Sequence, residues 1–255
     1  MLESIILGVV QGITEFLPIS STAHLVVIPW LLDWRGEVNS LTFDVALHGG
    51  TLVSLIICFW KDLVDMTGKQ RRLLFLIALG TVPAGLAGIY LEDYVAGSLR
   101  SPLVIAASLV VVGGVMYASE GLKGGKKLNR LAVFDAIFIG AFQAVALIPG
   151  VSRSGITISA GLMRGMQRTE ALRFSFLLSI PVIAGATVLE GRKLFSAGAH
   201  YDLSLFAVGF LVSMITGVMA IKFMLRYLKN HTMNVFVIYR VALAGVILGW
   251  LWLGR

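Results

Sequence analysis

Six apolar runs, each close to the length of a membrane span, constrain this chain more than any other feature of its sequence. Runs of ~20 apolar residues are what a helix needs to cross the hydrocarbon core of a bilayer. Hydrophobic residues make up 57% of the chain and charged residues 14%, a composition that excludes an ordinary soluble domain. The sequence therefore predicts an all-α polytopic membrane protein. The runs lie at about 42–60, 73–91, 101–120, 171–189, 204–225 and 233–253.

Two further apolar stretches, at about 1–32 and 131–163, are interrupted by proline and polar residues. Pro18 disfavours helix at the residue before it, and the serines that follow are favoured at the start of a new helix. Non-helical backbone at membrane depth is tolerated only where it is buried in protein or lines a wet cavity. We therefore expect each stretch to be a re-entrant hairpin of two helices that returns to the side it entered from.

The second interrupted stretch is similar to the first in outline. Gly-Ala-Phe-Gln at 140–143 parallels Gly-Val-Val-Gln at 8–11, and a proline followed by serines comes after both. The second stretch adds Arg153, whose planar guanidinium suits bidentate binding of phosphate. The spacings differ by one residue, so this similarity alone is a weak sign of a repeat.

The positions of the basic residues predict how the chain is threaded through the bilayer. Fourteen of the 21 lie in four loops that alternate consistently with the remaining loops only if neither hairpin crosses the membrane. Those on the predicted cytoplasmic side are Lys61, Lys69, Arg71, Arg72, Lys123, Lys126, Lys127, Arg130, Arg164, Arg168, Arg173, Lys222, Arg226 and Lys229. Those on the other side are Arg35, Arg100, Arg192, Lys193 and Arg255.

Three spans follow each hairpin, and an odd number of spans inverts the second unit relative to the first. The predicted fold is a single membrane domain, 1–255, made of two inverted-topology units at 1–120 and 131–253. Each unit is a re-entrant hairpin plus three transmembrane helices. In such folds the broken helices meet near the midplane. We therefore expect Glu15, Ser21 and His24 to face Arg153.

The residues of the first hairpin suggest chemistry because ionisable groups at membrane depth are costly and usually functional. Gln11 and Glu15 are four apart and share one helix face. Ser21 and His24 are three apart and are able to face the same way. The start of the second helix also offers free N–H groups and a positive dipole end to a phosphate.

Other charged residues are weaker candidates. Glu120 and Asp135 fall at predicted helix ends, where snorkelling to water is inexpensive. Arg240 lies inside a span, either near its cytoplasmic end or paired. Of the remaining histidines, His48 is a minor candidate for the site because it precedes two glycines near the start of a span, and His200 falls in a loop.

The two interrupted stretches resemble the two signature motifs of the bacterial undecaprenyl-diphosphate phosphatases of the BacA type. Residues 11–24 are similar to the first motif and residues 149–155 to the second, and the resemblance runs the full length of the chain. It implies hydrolysis of undecaprenyl diphosphate to undecaprenyl phosphate, which recycles the lipid carrier of peptidoglycan synthesis and confers bacitracin resistance. It also implies a divalent cation, Mg²⁺ or Ca²⁺, and a plasma-membrane protein whose site opens to the outer side.

The same resemblance assigns roles to individual residues. It implies that the catalytic residues are Glu15, Ser21, His24 and Arg153, with Glu15 also the metal ligand. It implies that the residues that bind or support the substrate phosphates are Gln11, Ser20, Thr22, Ser152, Ser154 and Thr157. Many members have a glutamate at the position of Gln11, which supplies no negative charge. Cation binding would therefore rest on Glu15 and the diphosphate oxygens.

Two mechanisms are open at this stage. In one, Ser21 attacks the terminal phosphorus to form a phosphoserine, and His24 takes and returns the proton. In the other, the metal and His24 activate water directly and Ser21 only binds phosphate.

A transporter or flippase of polyprenyl phosphate or another anionic lipid is the alternative function, because inverted repeats with broken helices are transporter architecture. A transporter needs polar residues along a path to both faces, whereas here they cluster in two motifs. The net charge of +7 follows the topology rather than one patch, so nucleic acid is not an expected partner. The expected partners are the lipid substrate and the bilayer, and a homodimer is among the assemblies the sequence allows.

Overall fold

The computed structural model describes residues 1–97, 99, 101–122, 124–194 and 201–254. Four residues named above, Arg100, Lys123, His200 and Arg255, lie outside the described residues, as do the side chains of Arg192 and Lys193. The described part of the chain forms eleven α-helices and no strand. A single isolated backbone bridge joins Lys126 to Met166.

The helices of the first half are α1 Leu2–Thr14, α2 Ser21–Leu32, α3 Leu41–Cys58, α4 Trp60–Thr67, α5 Arg71–Gly97 and α6 Pro102–Glu120. Those of the second half are α7 Val133–Val145, α8 Arg153–Met163, α9 Arg168–Leu194, α10 Leu203–Tyr227 and α11 Asn234–Trp252.

All six predicted spans are confirmed as helices. The helices α3, α5, α6, α9, α10 and α11 are long and apolar enough to cross a membrane, so the protein is a multi-pass membrane protein. The predicted loop after the first span is wrong in one respect, because α4 forms within it. Asp62 of α4 accepts a hydrogen bond from Arg173 at 2.6 Å, which ties this short helix to α9.

Both interrupted stretches fold as two helices separated by a break, as predicted. Ser20 (φ 74°, ψ 99°) and Ser152 (φ 70°, ψ 108°) end the two breaks with nearly the same left-handed backbone. Each serine hydroxyl also accepts a hydrogen bond from the N–H three residues on, at Ala23 and Gly155. These are N-caps, and they satisfy backbone donors at the starts of α2 and α8.

The two hairpins are related by a constant offset of 132 residues. It relates Gln11 to Gln143 and Ser20 to Ser152. The difference of one residue in spacing came from matching the prolines, because the offset places Gly150 opposite Pro18. Gly150 has φ +93°, so this break turns on a glycine where the other has proline.

The two halves exchange their hairpin helices. Helix α1 packs on α10 of the second half, and α7 packs on α5 of the first. A glycine allows each close approach, since a Cβ at Gly8 would meet the backbone of Gly209 and a Cβ at Gly140 would meet the backbone of Gly80. The exchange is compatible with two repeated units. Their inverted orientation in the bilayer stays a prediction.

The expectation that Glu120 and Asp135 snorkel to water is wrong. The carboxylate of Asp135 is fully buried and binds Lys126 at 2.8 Å and Arg164 at 2.7 Å. Glu120 pairs with Arg168 at 2.5 Å and accepts the N–H of Met233. Because basic loop residues fold back over these helix ends, both carboxylates are paired inside the protein.

Candidate active site

A cavity of about 300 Å³ lies where the two breaks meet. Its wall is built by α2, α3, α9 and the ends of α1, α7 and α8. The polar residues on this wall are Thr14, Glu15, Ser21, Thr22, His48, Gln143, Ser152, Arg153 and Ser179. The cavity therefore collects polar groups from both motifs in a protein that is otherwise largely apolar.

Glu15 and Arg153 join the two hairpins. Arg153 Nη2 donates to Glu15 Oε1 at 2.7 Å, and the two side chains are 13% and 6% exposed. A buried ion pair is tolerated when its geometry is good and its remaining polar atoms are hydrogen bonded. This contact confirms the expectation that the first motif faces Arg153.

The second oxygen of Glu15 gathers three further groups. Ser21 Oγ donates to Glu15 Oε2 at 2.7 Å, and Gln11 Nε2 donates to the same atom at 3.1 Å. His48 Nε2 lies 3.4 Å from it. The carboxylate therefore holds the Ser21 hydroxyl in place at the first residue of α2, on the cavity wall.

His24 lies elsewhere. Its Nδ1 is 2.7 Å from the carbonyl oxygen of Ser20, and its Nε2 is 2.7 Å from the hydroxyl of Tyr239. Both ring nitrogens are thus engaged, and the ring stacks on Tyr239 of α11. The structure does not bring His24 to Ser21, and its role as proton carrier stays a prediction.

His48 is the imidazole that the structure places beside Glu15. Its Nδ1 is 2.7 Å from the carbonyl oxygen of Asp44, which can only accept, so Nδ1 carries the proton and Nε2 faces the carboxylate. The sequence carried one signal for this residue, a histidine inside an apolar run of spanning length. Its proximity to Glu15 depends on how α3 packs against the break.

The hydroxyl residues fall into two groups. Thr22 and Ser152 lie on the cavity wall with Ser21. Ser20, Ser154 and Thr157 are buried and contact protein groups. Ser154 Oγ donates to the Leu17 carbonyl at 3.3 Å, and Thr157 Oγ1 donates to the Arg153 carbonyl at 2.7 Å. These contacts support the breaks from behind the cavity.

Arg240 binds both breaks from behind. It is fully buried on α11 and donates to the carbonyls of Pro18 at 3.3 Å, Gly150 at 2.8 Å and Val151 at 3.1 Å. Two carbonyls of α6, at Ser108 and Leu109, accept its remaining bonds. One guanidinium therefore fixes the two breaks relative to each other, a role that its sequence position did not reveal.

The donor groups of the cavity fit a cation that is shared with substrate. The described residues contain no cluster of three or more His, Cys, Asp and Glu side chains suited to a metal. The cavity wall offers the carboxylate of Glu15 and the imidazole of His48. Mg²⁺ is commonly held by one or two carboxylates together with substrate phosphates. Glu15 could fill that role, although the protein alone does not complete a coordination shell.

Comparison with known proteins places this architecture. A family model described as "Bacitracin resistance protein BacA" matches residues 4–246, a range that contains both hairpins. The chain belongs to this family. It is 53% identical over 248 residues to a BacA-family relative from Thermodesulfovibrio yellowstonii, named undecaprenyl-diphosphatase, with 97% of this chain and 96% of the relative covered.

Two further BacA-family relatives carry the same name. The protein from Moorella thermoacetica is 42% identical over 264 residues, with 100% of this chain and 99% of the relative covered. The protein from Desulforudis audaxviator is 44% identical over 250 residues, with 94% of each chain covered. The similarity therefore spans whole proteins, and it includes both motifs of the cavity.

Proposed function

We propose that this BacA-family protein hydrolyses undecaprenyl diphosphate to undecaprenyl phosphate and inorganic phosphate. The reaction recycles the lipid carrier of peptidoglycan synthesis and confers bacitracin resistance. The observation that carries the proposal is the contact between Glu15 and Arg153, because it joins the two motifs on one cavity wall beside the hydroxyl of Ser21. The names of the relatives support the same activity.

A second cavity supports a lipid substrate. It measures about 410 Å³, shares the wall residues Thr22 and Ala84 with the polar cavity, and extends between α5 and α9. Its lining is mainly apolar and includes Ile89, Val182 and Leu189. A diphosphate in the polar cavity would therefore leave its isoprenoid tail in surroundings where apolar contact is favourable.

Arg153 and the start of α8 are placed to bind the diphosphate. The Arg153 guanidinium spends donors on Glu15 and, at 3.5 Å, on the carbonyl of Ser175, and its remaining N–H groups are available to phosphate oxygens. Ser152 and Arg153 also stand at the N-terminus of α8, where backbone N–H groups attract anions. Binding from two directions fixes the phosphorus opposite Ser21.

Ser21 is placed as the nucleophile. Its oxygen would form a bond to the terminal phosphorus while the bond from that phosphorus to the bridging oxygen breaks, releasing undecaprenyl phosphate. The serine proton has an acceptor at 2.7 Å in Glu15 Oε2, with His48 beside it. Water then hydrolyses the phosphoserine. In the competing mechanism water attacks directly and Ser21 only binds phosphate.

The divalent cation, Mg²⁺ or Ca²⁺, belongs to the proposal. Glu15 would hold it together with the diphosphate oxygens, and when bound it would offset the negative charge that develops on the leaving oxygen. Residues of this chain would still orient the phosphates and carry the proton. The proposal also places the protein in the plasma membrane with the cavity open to the outer side, following the distribution of basic residues.

A transporter is the second candidate. One observation favours it: the polar cavity lies between two structurally repeated halves, as binding sites of inverted-repeat transporters do. A protein that hydrolyses the diphosphate and also moves the lipid phosphate would use the same cavity.

Phosphate release from undecaprenyl diphosphate by the purified protein in detergent, with and without EDTA, tests the proposal. We expect release that EDTA abolishes and that returns with Mg²⁺ or Ca²⁺. Absence of release, together with movement of labelled polyprenyl phosphate across liposomes, would replace the phosphatase by the transporter.

A further inference from the structure

Gln143 carries a buried amide without a partner in the protein. Its side chain is on α7 and the residue is only 2% exposed, yet neither Nε2 nor Oε1 has a hydrogen-bond partner among the described residues. An unsatisfied buried amide is destabilising by about as much as a complete hydrogen bond, and native proteins contain few of them. Such a group needs a partner that the protein does not supply.

The position of Gln143 shows where that partner enters. The residue lies on the wall of the polar cavity that also contains Glu15, Ser21 and Arg153. Its amide is therefore accessible to a molecule inside the cavity. The other buried glutamine, Gln11, also has an unpaired Oε1, but it is fully buried and lies outside that wall.

The internal repeat explains why Gln143 is unpaired. The offset of 132 residues places it opposite Gln11, whose Nε2 donates to Glu15 four residues later. The residue four positions after Gln143 is Leu147, which has no acceptor. The second hairpin thus has the amide at the same position without the carboxylate that would bind it.

We propose that Gln143 is a substrate-binding residue whose Nε2 donates a hydrogen bond to a phosphate oxygen of the substrate. Phosphate oxygens are strong acceptors, and a neutral amide binds them without disturbing the charge balance of Glu15 and Arg153. The Oε1 atom accepts from water in the cavity. This inference rests on the proposed function and adds a third protein contact to the diphosphate, beside Arg153 and the start of α8.

The variant Gln143→Met tests it, because methionine has nearly the same shape and no hydrogen-bonding amide. In the full-length protein in detergent we expect the ligand-free Tm to stay the same or rise, since an unsatisfied polar group is removed. We expect kcat/KM for undecaprenyl diphosphate to fall by about tenfold to a hundredfold. Inorganic pyrophosphate should raise the Tm of the wild type more than that of the variant.

Ser159→Ala is the matched control. Ser159 is also fully buried with an unpaired hydroxyl, but it does not line the polar cavity. Its variant should keep the wild-type kcat/KM and the wild-type response to pyrophosphate. If Gln143→Met folds poorly, Gln143→Glu serves instead, because it preserves shape and places a negative charge against the phosphates, which should raise KM.

The results separate two failures. A wild-type kcat/KM in a folded Gln143 variant overturns this inference and leaves the phosphatase intact. A wild type that releases no phosphate overturns the proposed function. In that case a pyrophosphate-induced rise in Tm that Gln143→Met loses would still support Gln143 as a phosphate-binding residue, and an equal rise in both proteins would refute it.

Discussion

Ser20 and Ser152 adopt the same left-handed backbone conformation 132 residues apart, at equivalent points of two helix hairpins. Residues other than glycine rarely take this conformation, and where they do the site is often functional. Here the turn directs the residues after each serine, Ser21 and Arg153, into one cavity. The repeated backbone thus presents a hydroxyl from one half and a guanidinium from the other.

The two serines should respond alike to substitution. Ser20→Ala and Ser152→Ala remove an N-cap worth ~1 kcal/mol and leave a side chain at positive φ. Ser→Gly at either position should be less destabilising, because glycine accepts that backbone conformation. Thermal unfolding in detergent measures the order of the variants. An alanine variant more stable than its glycine counterpart would contradict the shared geometry.

Arg240→Met should uncouple the two breaks. The substitution leaves carbonyls of both breaks without their donor, which we expect to destabilise the protein by roughly 2–5 kcal/mol and to lower activity. Tm and kcat/KM are the measurements, and Arg226→Met, at an exposed position near the end of α10, is the control. Wild-type activity and stability in Arg240→Met would refute this role.

His48→Gln should lower kcat more than His231→Gln, because only His48 contacts the carboxylate that binds Ser21. We expect a decrease of roughly a hundredfold, the effect commonly found for a group that assists proton transfer. Tyr239→Phe should act through His24 and mainly change the placement of α2. If His48→Gln is fully active, the proton path beside Glu15 is wrong.

Asp135, which lies outside the six spans, should make stability depend on pH. Burial raises its pKa, but hydrogen bonds from Lys126, Ala132 and Arg164 outweigh burial and hold the pKa below its ordinary value of 3.8. The stabilisation is therefore complete above that value and is lost as the pH falls through the lowered pKa. Asp135→Asn should lower Tm at neutral pH, and the difference from wild type should shrink below about pH 4. A constant difference would contradict it.

Much of the fold could be predicted from local sequence. Spanning length and hydropathy located the six long helices, while proline and serine located both breaks. The pairing of Glu15 with Arg153 followed from the expectation that two broken helices meet. What could not be predicted depends on packing between distant helices. His48 reaches Glu15 only through α3, and Arg240 finds its carbonyls only once α11 lies behind both breaks.

Local rules also misled in two places. Aligning the prolines obscured a repeat that holds at the serines, because the second break turns on Gly150 instead of a proline. Asp135 was expected at a wet helix end, but Arg164, 29 residues later, folds over it. In both cases the deciding contact joins residues far apart in the chain.

A double-mutant cycle on phosphate release tests most directly the claim that the two hairpins form one active site. The wild type, Glu15→Gln, Arg153→Ala and the double variant would be assayed on undecaprenyl diphosphate. If the two residues act as a unit, the double variant should lose little more activity than the weaker single variant. Losses that multiply, or activity that survives both substitutions, would mean that Glu15 and Arg153 do not share a site.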